Sequence, residues 1–117
     1  MVVILTSELM LASTASSHGK QHQVKVAQVG SVEKALKVIK ENRPHVFLVD
    51  LQVPKLNVAE LGEQIAALAD AVAPLTIAYA QHVEVELLES AKQAGFDQVL
   101  TRGQLNSQLG RIVADAK

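Results

Sequence analysis

Two hydrophobic periods alternate along this chain. Short, almost wholly apolar and β-branched runs recur at Val2 to Leu5, Val46 to Val49 and Leu75 to Tyr79. Runs of that length without polar alternation describe strands buried on both faces, the arrangement of a parallel sheet. Val24 to Val29 differs, because Lys25 interrupts it between Val24 and Val26. A strand nearer the sheet edge tolerates that polarity. Gln98 to Thr101 gives a weaker fifth strand.

Between these runs the period becomes helical. Over Ser31 to Asn42, Val32, Ala35, Leu36 and Ile39 share one face, Ser31 is placed to cap, and Glu33 and Lys37 are spaced for an i,i+4 ion pair. Pro44 stops that helix. A stripe of Leu61, Ile65, Leu68 and Val72 predicts a helix over Ala59 to Val72. Leu87, Leu88, Ala91 and Ala94 predict another, closed by Gly95 as a left-handed cap. Leu105, Leu109, Ile112 and Ala116 line the last. The first crossover, Ser7 to Ser17, is the weakest helix of the set, because Ser13 to Ser17 is small, polar and poor in helix propensity; its expected end is near Gly19.

Five strands alternating with five helices fold as one open parallel α/β sheet with helices on both faces, since crossovers are right-handed and connections short. The expected strand order is 2-1-3-4-5, and chemistry then gathers beyond the carboxyl ends of the central strands. The positions to watch are Thr6, Ser7 and Glu8 after strand 1, Asp50 to Pro54 after strand 3, Ala80 to His82 after strand 4, and Arg102 after strand 5.

Composition narrows the function. The chain has 117 residues, 49% of them apolar and 20% charged, which makes one domain over 1–117 with a real core. With no cysteine there is no disulfide frame, no Cys-ligated metal and no thiol nucleophile, so a cytoplasmic location is the default. A formal charge of −1 gives nucleic acid and anionic membrane nothing to attract, and three aromatic residues make no base-stacking surface. No apolar run approaches the length needed to cross a bilayer, and Met1 to Leu11 lacks the basic flank and cleavage site of a signal peptide.

Two stretches carry a resemblance. Arg43 to Pro54 ends a strand on Asp50 and places Pro54 four residues later; Ala91 to Arg102 runs from a helix through Ala94-Gly95 into a strand. In joint spacing these resemble the third strand and the helix-4-to-strand-5 segment of a response-regulator receiver domain, the CheY-like family, over essentially the whole chain. The resemblance implies a flavodoxin-like three-layer sandwich. It also implies that Asp50 holds the phosphoacceptor position, with an acidic pair after strand 1 that helps hold magnesium.

Measured against that pattern, the pocket is incomplete. Thr6-Ser7 stand where the acidic pair is expected. Glu8 is the next acid, at a position that commonly starts the first helix and does not carry the metal alone. Magnesium usually needs one or two carboxylates, and Asp50 with neutral hydroxyls makes a poor site. Ala80 replaces the hydroxyl residue after strand 4, Arg102 replaces the lysine, Gly103 its following proline, Val99 the aromatic switch and Val58 a glycine. The resemblance is therefore to a degenerate pseudo-receiver, with no catalytic residues, metal or cofactor expected.

Each remaining candidate has a plain structural reading beside it. Asp50 as a turn-capping aspartate paired with Arg102 competes with the phosphoacceptor role. His18 and His22 have metal-compatible spacing, but Gly19 lies between them and no acid assists. His82 has no nucleophile to serve. The first 58 residues hold seven Lys or Arg against four Asp or Glu (+3), and the rest four against eight (−4). That asymmetry makes Glu84, Glu86 and Glu89 the candidate contacts to a basic partner. The leading expectation is a non-enzymatic signalling module that docks a histidine kinase, phosphotransfer or output protein, as monomer or weak homodimer, through helix 4, strand 5 and helix 5. It would act through another protein or be a fragment of a longer regulator. The rivals are a phosphorylatable receiver of a two-component phosphorelay, and a small α/β enzyme or ligand binder sharing only the fold. Against the last, no glycine-rich phosphate loop follows strand 1.

Overall fold

The computed structural model describes all 117 residues. In chain order the elements are β1 (Val2–Leu5), α1 (Leu9–His22), β2 (Val26–Val29), α2 (Val32–Asn42), β3 (Val46–Asp50), α3 (Val58–Ala66), β4 (Leu75–Ala80), α4 (Val85–Gln93), β5 (Gln98–Thr101) and α5 (Arg102–Asp115). The five strands form one parallel sheet in the order β2-β1-β3-β4-β5.

Alternation along the strands sorts the core into two layers, because successive strand side chains point to opposite faces. Val3, Leu5, Phe47, Val49, Ala78 and Ala80 pack on one side with Ala35, Ile39, Val58, Leu61 and Ala91 from α2, α3 and α4. Val2, Ile4, Val46, Leu48, Ile77 and Tyr79 pack on the other with Leu11 and Ala15 of α1 and Leu105, Leu109 and Val113 of α5. Thr6 and Asp50 continue the parity of this second layer, and Asp50 is the register partner of Tyr79.

Several boundaries depart from the sequence reading. Helix α1 runs to His22, past the expected end near Gly19, because Gly19 is the point where the helix meets the next segment. A Cβ there would sit 2.5 Å from the Val24 carbonyl oxygen, so the missing side chain permits close approach and does not break the helix. Strand β2 starts at Val26, two residues later than expected. Helix α3 stops at Ala66, short of Val72, as the Leu68 and Val72 N–H groups turn back to Ile65 and Ala69 in tighter i,i+3 bonds. Glu33 and Lys37 do not pair; a single ion pair exists in the molecule, and it lies elsewhere. Ser31 does cap α2, accepting from the Lys34 N–H, and Gly95 has φ +91° as its cap role requires.

Candidate functional site

The carboxyl ends of β1, β3 and β4 converge with the first residues of α1 and α5. Asp50 ends β3 and is 4% exposed. Its Oδ1 accepts the Gln52 N–H at 2.9 Å, and its Oδ2 accepts the Thr6 hydroxyl at 3.0 Å. Each oxygen of this buried carboxylate thus has a hydrogen-bond partner, as buried polar atoms require.

Thr6 is fully buried and serves as the hub. Besides Asp50, its Oγ1 accepts the Glu8 N–H at 3.0 Å and lies 3.1 Å from the Tyr79 hydroxyl. The Tyr79 hydroxyl also lies 3.2 Å from Glu8 Oε2, so it has two acceptors within reach, and Glu8 Oε1 pairs with the Arg102 guanidinium. A continuous polar chain thus runs Asp50, Thr6, Tyr79, Glu8, Arg102, from the end of β3 to the first residue of α5. Burial, with the nearby Asp50 and Glu8 charges, pushes the Tyr79 phenol well above its ordinary range, against the opposing effect of the Thr6 bond. Tyr79 therefore stays neutral and keeps its proton.

Sequence reasoning places some of these residues correctly and others not. Thr6 and Asp50 meet as expected from the strand ends. Ser7 is exposed and makes no hydrogen bond to the pocket, because its side chain falls on the opposite parity to Thr6. Arg102 does not pair with Asp50: α5 begins at Arg102 with no loop after β5, Thr101 capping it through a reciprocal bond pair with Gln104. That tight turn sets Arg102 beside the start of α1, where Glu8 waits. Glu8, set aside in the sequence reading, stands at the N-cap of α1 but makes no side-chain cap bond, its carboxylate being spent on Tyr79 and Arg102. In the sequence Tyr79 counts only toward strand apolarity. The signal that could have found it is that a buried tyrosine needs a hydroxyl partner, and Tyr79 stands one residue from a strand's carboxyl end.

Ala80 is fully buried in the apolar layer on the other side of β4. His82 is exposed, and together with Gln81, Val83, Thr101, Arg102, Gly103 and Asn106 it lines an open concavity of about 640 Å³. His18 lies against α5, near Gly110, while His22 ends α1, and no third metal-type side chain joins them. Glu86 and Glu89 are exposed on α4 and Glu84 half-buried at its start, beside Val83 and Val85, which are 65% and 67% exposed.

The architecture and the strand-end aspartate meet a matching sequence pattern: that of the response regulator receiver domain fits residues 2–114. The chain belongs to that family. Solved receiver domains share its fold at low identity. One from Bermanella marisrubri is 17% identical, with 98% of this chain and 95% of that one covered and a TM-score of 0.80. The receiver of a sensor histidine kinase from Pseudomonas aeruginosa PAO1, solved with magnesium in its active-site cleft, is also 17% identical, with 98% and 94% covered and a TM-score of 0.78. A Saccharomyces cerevisiae response-regulator receiver, solved in complex with its histidine phosphotransfer protein, is 18% identical, with 98% and 86% covered and a TM-score of 0.76. No curated protein matches the sequence. No helix of this receiver is long and apolar enough to cross a membrane.

Proposed function

We propose that this receiver domain signals by docking to a protein partner and that its phosphoacceptor site no longer works as a switch. The observation that carries this reading is the Arg102–Glu8 ion pair. Phosphoryl transfer to a carboxylate brings two anions together, and preorganised positive charge must offset their repulsion. The cation in this cleft is already neutralised by Glu8. The donors also do not fit magnesium. Asp50 is a single buried carboxylate with neutral Thr6 as its neighbour, Glu8 is paired with Arg102, and a divalent ion near Glu8 would face the guanidinium.

Docking is supported by the start of α4, where exposed Val83 and Val85 stand among Glu84, Glu86 and Glu89. An apolar pair rimmed by carboxylates fits a partner surface with an apolar centre and a basic rim. Charge reversal at the three glutamates is expected to weaken partner capture while leaving the fold intact, because exposed helix charges contribute little to stability.

The test of the silent phosphoacceptor is intact-mass analysis after incubation with acetyl phosphate and magnesium. No phosphoryl adduct is expected. An adduct on the wild type that is absent from Asp50→Asn would establish the phosphorylatable receiver in its place. Amide NMR shifts spreading from Asp50 through Ala80 and Arg102 on adding beryllofluoride and magnesium would say the same.

A further inference from the structure

The polar chain has more contacts than protons. Asp50 Oδ2 to Thr6 Oγ1, Thr6 Oγ1 to Tyr79 Oη, and Tyr79 Oη to Glu8 Oε2 measure 3.0, 3.1 and 3.2 Å, all within hydrogen-bond range. With both carboxylates ionised, the only protons available are those of the two hydroxyls, one each. One of the three contacts is always left without a proton.

Which contact goes empty depends on Arg102. While the guanidinium neutralises Glu8, the Tyr79 O–H can turn to Thr6. Thr6 then accepts from the Glu8 N–H and from Tyr79 and donates to Asp50, which fills its hydrogen-bonding capacity. When Glu8 loses its cation, its uncompensated charge in a half-buried position draws the phenol proton to itself. The phenol oxygen then offers Thr6 a lone pair, and the threonine proton divides between Tyr79 and Asp50. The tyrosine proton never leaves its oxygen; only the O–H direction changes.

We propose that Tyr79 is a hydrogen-bond toggle that makes the bonding of Asp50 depend on whether Arg102 is engaged with Glu8. The proposal deepens the docking reading and rests on it in taking Arg102, rather than a metal ion, as the cation to which the cleft responds. Any anionic group of a partner that competes for the guanidinium at the rim of the concavity would be registered at the end of β3, some way into the protein, without a covalent step. Tyr79 acts as a positioning residue throughout.

The experiment needs neither phosphodonor nor metal, so its outcome is independent of the mass assay above. Arg102→Gln removes the cation from Glu8, and the Gln52 amide, bonded to Asp50 Oδ1, reports the aspartate by NMR. Arg102→Gln is expected to shift the Gln52 amide and the Asp50 side-chain carboxyl carbon. In the Tyr79→Phe background the same substitution should leave both resonances in place. If Arg102→Gln shifts neither, or shifts both equally with Tyr79 and with Phe at that position, there is no toggle. Should Tyr79→Phe lose its dispersed spectrum, Thr6→Val cuts the same chain one residue later, and the same two outcomes decide.

Discussion

The two faces of β4 at its carboxyl end have taken opposite chemistries. Ala80 points into the largely apolar layer under α2, α3 and α4 and brings no hydroxyl of its own. Tyr79, one residue earlier and on the opposite face, brings a hydroxyl into contact with Thr6 and Glu8 under α1 and α5. Receiver domains are expected to carry the hydroxyl at the Ala80 position. Here it stands on the other side of the sheet, belongs to a different residue type and joins two helix starts, α1 and α5. Strand alternation makes this a change of layer, so the neighbours that could respond to such a hydroxyl also change.

The largest effect comes from breaking the apolar face. Phe47 is fully buried there, and Phe47→Ala should cost about 3–5 kcal/mol of stability through lost burial and the cavity left behind. Urea unfolding measures it. A near-neutral result would mean that this layer is not what holds the sheet to α2, α3 and α4. Next, Ala80→Ser returns a hydroxyl to the family's position. Ala80 is fully buried in the apolar layer, so a hydroxyl that stays unpaired there should cost about 1–3 kcal/mol, and one that reaches Thr101, its register partner on β5, should cost less. The substitution should also confer no phosphorylation, since Arg102 stays paired with Glu8 and Thr6-Ser7 still stand at the acidic-pair position. An Ala80→Ser protein that gains a phosphoryl adduct would show that a single hydroxyl was the missing element.

How far the sequence carries depends on how local the determining physics is. The strand runs and the end of β3 at Asp50 follow from apolar patterns decided within a few residues, and the strand order from the right-handed crossovers that alternating strands and helices impose. The Ser31 cap and the Gly95 turn were legible for the same reason. The length of α1 was not: Gly19 reads as a helix end until one knows that the Val24 backbone passes against it, a contact set by tertiary packing. The site itself was half legible. Asp50 and Thr6 are placed by strand ends, but the Glu8–Arg102 pair joins residues far apart in sequence, and it depends on α5 starting without a loop after β5.

A smaller change tests the polar face. Tyr79→Phe keeps the ring in the apolar layer it shares with Leu48, Ile77 and Leu105 and removes only the hydroxyl. The loss should be about 0.5–1.5 kcal/mol, the net worth of one hydrogen bond, because Thr6 keeps Asp50 and Glu8 keeps Arg102. Denaturant midpoints of the two proteins give the difference. A cost approaching that of Phe47→Ala would mean that the polar chain, rather than apolar packing, holds this layer together.

The smallest effect at neutral pH, and the most direct check on the buried phenol, is an alkaline titration. Tyr79 is the only tyrosine and there is no tryptophan, so phenolate absorbance reports this one side chain. Its folded pKa is raised above the unfolded value of 10.0, chiefly by burial and further by the Asp50 and Glu8 charges. Below pH 10 both states hold the proton, and the contribution to stability is fully present. Above it the unfolded chain releases its proton while the folded one does not, so unfolding is increasingly favoured as pH rises toward the folded pKa. Wild-type protein should therefore show no phenolate until it unfolds, the absorbance and the loss of helical signal rising together. Tyr79→Phe should lose stability less steeply over the same alkaline range. Phenolate appearing near pH 10 in protein that is still folded would place the hydroxyl in solvent and separate Tyr79 from Thr6 and Glu8. The two faces of β4 would then differ only in side-chain size, and the contrast between them would carry no signal.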